Sequence, residues 1–123
     1  LKSGGYLVIE PTEALTVIDV NTGKFDGRNA DREKTFLKTN LEACAEIARQ
    51  LILRNISGII IIDFINLGEK DNRNIIQDTM KKYLAADPVK AVFVEFTGLD
   101  LMEITRKKIK KPLHEIFKGE RNA

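Results

Sequence analysis

The sequence predicts a layered α/β domain, a mixed sheet with flanking helices in the order ββαβαβα. Three observations carry the prediction. Short apolar, β-branched runs alternate with two longer stretches of helical periodicity. Turn-forming residues fall between these segments. A chain of 123 residues, 43% hydrophobic and 31% charged, has the size and composition of one ordinary folded core.

Tyr6-Leu7-Val8-Ile9 reads as the first strand, ended by a turn at Glu10-Pro11-Thr12, and Ala14 to Val20 reads as the second. Their closeness predicts an antiparallel hairpin. Asn21-Thr22-Gly23 opens a loop that runs through Asp26-Gly27. Residues 31–54 form the first helix. Leu37, Leu41, Cys44, Ala45, Ala48, Leu51 and Ile52 recur at three- and four-residue spacing, Asn29 or Asp31 is placed to cap the start, and Asn55 with Gly58 ends it.

Ile59 to Ile62 are four consecutive isoleucines without alternation, the pattern of a central strand covered on both faces. A second helix is expected from about Glu69 to Ala86, stopped near Pro88. Lys90 to Phe96 reads as a third core strand and Leu101 to Lys110 as a closing helix. Right-handed crossovers then return each strand to the sheet. No internal repeat or low-complexity stretch divides the chain, so residues 1–123 are read as one domain.

Composition excludes several classes. No apolar run reaches the roughly 18–20 residues needed to span a bilayer, since Gly58 and Asp63 interrupt Ile56 to Ile65. The single cysteine, Cys44, rules out an internal disulfide framework and a cysteine-built zinc site. With no secretory leader in view, a cytoplasmic setting is expected, and a start at Leu1 rather than Met is expected of a fragment. Charge is uneven: residues 1–105 carry 13 Lys and Arg against 16 Asp and Glu, whereas residues 106–123 carry 7 against 2. The basic tail from about residue 106 suits a polyanion.

Two aspartates stand where strands should be apolar. Asp19 lies within Val17-Ile18-Asp19-Val20, and Asp63 directly follows the isoleucine run. A carboxylate taken out of water without a partner costs several kcal/mol, so each calls for a compensating charge. A turn cap or an Arg partner would answer for one such Asp; two matching placements in one small sheet favour a divalent cation. Ligands of open α/β sheets bind beyond the C-terminal strand ends, where Asp63 sits. Asn21 shares a strand face with Asp19, roughly 6.6 Å further on. Two Asp and one Asn, with no His or Cys cluster, suit Mg2+, with Mn2+ as a substitute.

The run Arg106-Lys107-Lys108-Ile109-Lys110-Lys111 holds like charges at helical spacing, a penalty that an RNA phosphate backbone would remove. A solvated surface is the plainer reading of the same run. Phe36, Tyr83, Phe93 and Phe96 are assigned to the core, and there is no aromatic platform for stacking bases. Thr22-Gly23-Lys24 echoes a phosphate loop but lacks its upstream glycine and following hydroxyl. Cys44 reads as a small core residue, and His114 has no paired carboxylate in view.

The segments SGGYLVIEPTEALTVIDVNTGKF, TNLEACAEIARQLILRNISGIIIIDFINL and TGLDLMEITRKK closely resemble the ribonuclease E/G family in its DNase I-like catalytic subdomain, in the family's order and over nearly the whole chain. The resemblance implies magnesium-dependent endonucleolytic cleavage of single-stranded, often AU-rich RNA in RNA processing and decay, leaving a 5′-phosphate and a 3′-hydroxyl. It implies metal ligation by the Asp of the "IDVN" motif and the first Asp of the "IDFID" motif, which fall on Asp19 and Asp63, with Asn21 as the accompanying Asn. RNA contacts are expected from Lys24, Lys90, Arg106, Lys107 and Lys108, Lys90 falling where some members carry an Arg that helps contact the 5′-monophosphate. Lysine there keeps the charge but not the fork.

Two positions depart from the family pattern: Asn66 replaces the second Asp of "IDFID", and Asp100 replaces the second glycine of a "GLGL"-like stretch. The resemblance also implies a homo-oligomeric full enzyme. Its OB-fold, 5′-sensor and RNase H-like domains normally precede this segment and a CPxC-type zinc link follows it, so weak RNA binding and little activity are expected of these residues alone. The alternative is a non-catalytic RNA-binding or oligomerisation module derived from the same family. A nucleotide-binding domain is disfavoured by the lack of a glycine-rich phosphate loop.

Overall fold

The structure, a computed structural model, describes residues 1–23 and 29–108. Its elements run β1 (Tyr6–Pro11), β2 (Thr16–Asn21), α1 (Asn29–Leu53), β3 (Gly58–Asp63), α2 (Lys70–Ala85), β4 (Ala91–Phe96) and β5 (Met102–Arg106). The strands form one mixed sheet in the order β1-β2-β3-β5-β4. β1 and β2 are the expected antiparallel hairpin, with strand pairing continuing to Pro11↔Thr16. The turn therefore lies later than the sequence suggested: the Thr12 hydroxyl donates to the Leu15 carbonyl at 2.6 Å and accepts from the Leu15 amide at 3.1 Å.

β2 and β3 run parallel, joined by α1, while β5 is antiparallel to both β3 and β4. Burial alternates along the strands. Ile18 and Val20, Ile60 and Ile62, and Met102 and Ile104 all enter one core with Ala43, Cys44, Ile47 and Leu51 of α1 and Ile76, Met80 and Leu84 of α2. Cys44 belongs to this core as expected. Burial pushes its thiol up to about 12, so it stays protonated and unreactive at neutral pH. α1 ends where expected, with Asn55 at φ 48° and Gly58 at φ 82°.

Three expectations are corrected. β3 is covered on one face only: Ile60 and Ile62 are buried, but Ile59 is 41% exposed. The uncovered face also shows Val8, Val92 and Val94. Neighbouring strands shield Ile61 from the sides, which is enough to support an apolar run without a second helical layer.

Residues 101–108 do not form a helix; Met102–Arg106 is β5, so the described order is ββαβαββ. Met102, Ile104 and Arg106 are buried while Glu103 and Thr105 are half-buried, a period of two that sheet pairing on both sides reinforces. The hairpin leading into it is closed by Thr97, whose amide donates to the Leu101 carbonyl at 2.8 Å and whose hydroxyl accepts from the Leu101 amide at 3.2 Å. Tyr83, placed in the core by the sequence reading, is 38% exposed, whereas Phe93 and Phe96 meet edge-on at 5.5 Å and pack against the core. No helix of the described residues is long and apolar enough to cross a membrane.

Candidate metal centre at the end of the parallel strands

The parallel pairing of β2 and β3 fixes the position of the two suspected aspartates. In the register Thr16↔Ile60, Val17↔Ile61, Ile18↔Ile62, Asp19↔Asp63, the two Asp residues are direct neighbours at the last rung. Alternation sends Ile18 and Ile62 into the core and therefore sends both carboxylates to the other face of the sheet. Adjacent strands lie roughly 5 Å apart, so the pair is within reach of one small cation.

Neither carboxylate has a hydrogen-bond or ion-pair partner among the described residues, so no described residue supplies the cap or Arg partner that would answer for it. Asp63 is pushed above its ordinary pKa, first because the surrounding protein strips part of its hydration and second because of the negative charge of Asp19. Asn21 continues the same face of β2. Its amide nitrogen donates only a long 3.4 Å hydrogen bond to the Asp19 carbonyl, leaving its side-chain oxygen unengaged among the described residues.

The donor set fits a hard, strongly hydrated cation. No group of three or more His, Cys, Asp or Glu is placed to hold a metal among the described residues, which argues against a closed zinc-type cage. Two carboxylates beside an amide, open to water, match the habit of Mg2+, which keeps several waters and completes its shell with substrate phosphate.

The other expected site residues separate. Arg106 is 2% exposed and belongs to the core. Its Nε and Nη2 donate to the two Asp87 carboxylate oxygens at 2.8 and 3.2 Å, and its Nη1 donates to Asn55 Oδ1 and the Ile56 carbonyl, both at 3.1 Å. This guanidinium ties β5 to the turns on either side of it: four of its five N–H hydrogens are engaged, and its burial keeps it from a phosphate. Its expected RNA contact is thereby corrected: on a strand, Arg106 takes the inward position of the alternation.

Lys90 and Lys107 are exposed and adjacent, joined by a 2.8 Å bond from the Lys107 amide to the Lys90 carbonyl, and Lys108 is exposed beside them. They lie beyond the Gly58↔Arg106 pair, roughly 20 Å along the strand direction from Asp63. Glu10, Val17, Ile61, Glu103 and Glu95 occupy the rung between, so an acidic and apolar strip separates these lysines from the aspartates. Lys24, Lys110, Lys111 and His114 lie outside the described residues.

Both departures from the family pattern adopt left-handed backbone, Asn66 at φ 46° and Asp100 at φ 59°. Asp100 occupies a position suited to glycine, and its carboxylate is paired at 2.5 Å with Arg73, whose guanidinium also lies 5.8 Å from the Phe96 ring. Its hairpin sits at the same end of the sheet as Asp63, because Met102 pairs with Ile62. Sequence reasoning missed this brace and also missed Asn40, a buried amide in the middle of α1. The signal was present for Asn40: it falls on the apolar stripe, three residues after Leu37 and four before Cys44.

With this geometry in hand, comparison with known proteins places the chain. The profile of the ribonuclease E/G family matches residues 1–109. The chain belongs to the ribonuclease E/G family. It is 48% identical over 117 residues to a ribonuclease E of Nostoc sp., covering 95% of this chain and 17% of that protein. It is 46% identical over 121 residues to ribonuclease G of Escherichia coli, covering 98% and 24% respectively. Ribonuclease G of Haemophilus influenzae is likewise 46% identical over 120 residues. The chain thus spans between 17 and 24% of the length of these curated relatives.

Proposed function

We propose that residues 1–123 are the metal-binding, DNase I-like catalytic subdomain of a magnesium-dependent endoribonuclease that hydrolyses phosphodiester bonds of single-stranded RNA in RNA processing and decay. The observation that carries this reading is the Asp19–Asp63 pair on the last rung of the parallel strands, without a neutralising partner among the described residues, in a chain of the ribonuclease E/G family. RNA as substrate comes from the family and from the printed names of the relatives.

In this reading Asp19 and Asp63 hold Mg2+ and Asn21 lies beside them. The ion supplies Lewis-acid stabilisation of the charge that builds on the scissile phosphate. The chain's own contribution is positional. The β2–β3 ladder sets the two carboxylates side by side, α1 and the core pack behind them, and the open face leaves room for a phosphate to approach. Asn21 orients water or phosphate through its side-chain amide. Lys90, Lys107 and Lys108 draw the polyanion to the far end of the same domain without touching the reacting centre.

The test is cleavage of a short AU-rich RNA in Mg2+ by the full-length protein and by its Asp19→Asn and Asp63→Asn variants. Both variants are expected to lose at least about a hundredfold in rate, the scale on which removing a metal or oxyanion contact acts. Variants that cut as fast as the parent would show that the pair is not the metal centre.

A further inference from the structure

We infer that Asn40 of α1 is a positioning residue for the Asp19–Asp63 pair, setting the end of β3 from which Asp63 projects; this rests on reading that pair as a magnesium site. Asn40 is 2% exposed in the middle of a helix, where a polar side chain is retained only if its bonding capacity is met. It is met by a single residue. Asn40 Nδ2 donates to the Ile65 carbonyl at 2.8 Å, and Asn40 Oδ1 accepts from the Ile65 amide at 3.0 Å.

Ile65 lies just where the sheet stops holding the chain. The pairing of β3 with β2 ends at Asp19↔Asp63 and with β5 at Ile62↔Met102. Beyond Asp63 the backbone loses both strand neighbours, and at Asn66 it turns into left-handed φ. The Asn40 amide offers Ile65 one donor and one acceptor, as a neighbouring strand would, and so prolongs the constraint two residues past the metal ligand. Asp63 is held from behind by its ladder and from ahead by this clamp.

The adjacent helix residue packs against the segment that leads into β1, beside the end of β2. Thr39 is 1% exposed, and its Oγ1 lies 3.1 Å from Ser3 Oγ. Its Cγ2 stands 2.7 Å from where a side chain on Gly5 would begin, a point also 2.8 Å from the Asn21 carbonyl oxygen. Consecutive residues of one helix thus reach the chain just beyond β3 and the chain leading into β1, where Gly5 lies close to the Asn21 end of β2.

A role in stability alone and a role in positioning differ in one measurable respect, metal affinity in the folded protein. The experiment uses the full-length protein, Mn2+ as probe, the free-ion EPR signal as readout and no RNA. Asn40→Ser is expected to weaken Mn2+ binding about tenfold, the lower end of what loss of an outer hydrogen bond does to a metal site. The Mg2+ concentration for half-maximal RNA cleavage should rise by a similar factor, with kcat at saturating Mg2+ and KM for RNA within about twofold of the parent.

Asp63→Asn serves as comparator. If it retains Mn2+ affinity, the magnesium reading is wrong and this inference falls with it. If it loses Mn2+ while folded Asn40→Ser binds within about twofold of the parent, only the role of Asn40 is overturned. Should Asn40→Ser fail to fold, the unsubstituted protein decides through amide hydrogen exchange. Protection of Ile65 N–H should rise at least about threefold with the midpoint of Mn2+ binding, since a ligand that needs the clamped state populates it. Unchanged exchange at Ile65 overturns the inference.

Discussion

Asp19 and Asp63 are directly opposed on the last rung of the β2–β3 ladder, and each is without a neutralising partner among the described residues. Protein folding therefore brings two like charges together before any cation arrives, and the Asp63 pKa is raised, first by lost hydration and second by the charge of Asp19. For a carboxyl raised on folding, the protonated form favours the fold. That contribution is full at low pH and is lost as pH rises through the folded pKa. Asp63→Asn is expected to stabilise the metal-free protein at neutral pH by about 0.2–1 kcal/mol, the scale of a charge pair facing across two strands. The gain should vanish near pH 3, below the ordinary carboxylate range of about 4. Urea denaturation at both pH values measures it, and a loss of stability at neutral pH would contradict the charge opposition.

Arg106 is expected to behave as a core residue. Arg106→Ala leaves the Asp87 carboxylate buried and uncompensated, at a cost of about 3–5 kcal/mol. Arg106→Lys should recover part of this, since one ammonium cannot reproduce the fork to Asp87 and the bonds to Asn55 and Ile56. Chemical denaturation reads the effect directly. If Arg106→Ala left stability unchanged and only weakened RNA binding, the buried pair would be a misreading.

Lys107 should show the reverse profile. It is exposed and touches no acidic side chain among the described residues, so Lys107→Ala is expected to alter stability by less than about 0.5 kcal/mol. In the full-length protein it should lower the slope of log affinity for single-stranded RNA against log salt by about 0.7, the signature of one phosphate contact. An unchanged slope would remove Lys107 from the RNA path.

Gly5→Ala tests how firmly the β2 end is held. The new methyl would begin 2.7 Å from Thr39 Cγ2 and 2.8 Å from the Asn21 carbonyl oxygen, closer than atoms can stand. Relief requires moving buried side chain or strand backbone, at a cost of about 1–3 kcal/mol. Because Asn21 and Asp19 share that strand end, Mg2+ affinity should fall along with the melting temperature. A variant that melts like the parent would show the strand end to be pliant.

The order and nature of the first six elements were legible because each has its own local signature. The α1 stripe, the turn residues around Gly58 and Pro88, and the β-branched runs declare themselves within a few residues. β5 was not legible, since Leu101 to Arg106 is short and charged and owes its extended form to pairing with β3 and β4. The same oversight misplaced Arg106. Counted as part of a basic run it suggested RNA, and only the alternation of a strand sends it inward. Asp19 and Asp63 could be picked out singly as charges in apolar strands, but their adjacency is a matter of register, which local pattern does not contain. Asn40 could be read as a polar interruption in an apolar stripe, while its partner Ile65 becomes visible only when α1 is laid against the end of β3.

The parallel pairing has a kinetic corollary. A hairpin such as β1–β2 can close early, since its partners are neighbours in the chain. Asp19 and Asp63 are separated by the whole of α1, and their strands cannot meet until that helix has formed and crossed back over the sheet. The proposed metal site is therefore expected among the last features to appear as the chain folds. Neither the early hairpin nor an isolated helix can hold the ion, so metal uptake during refolding should follow the slow, topology-limited phase and mark the moment when the native crossover is complete.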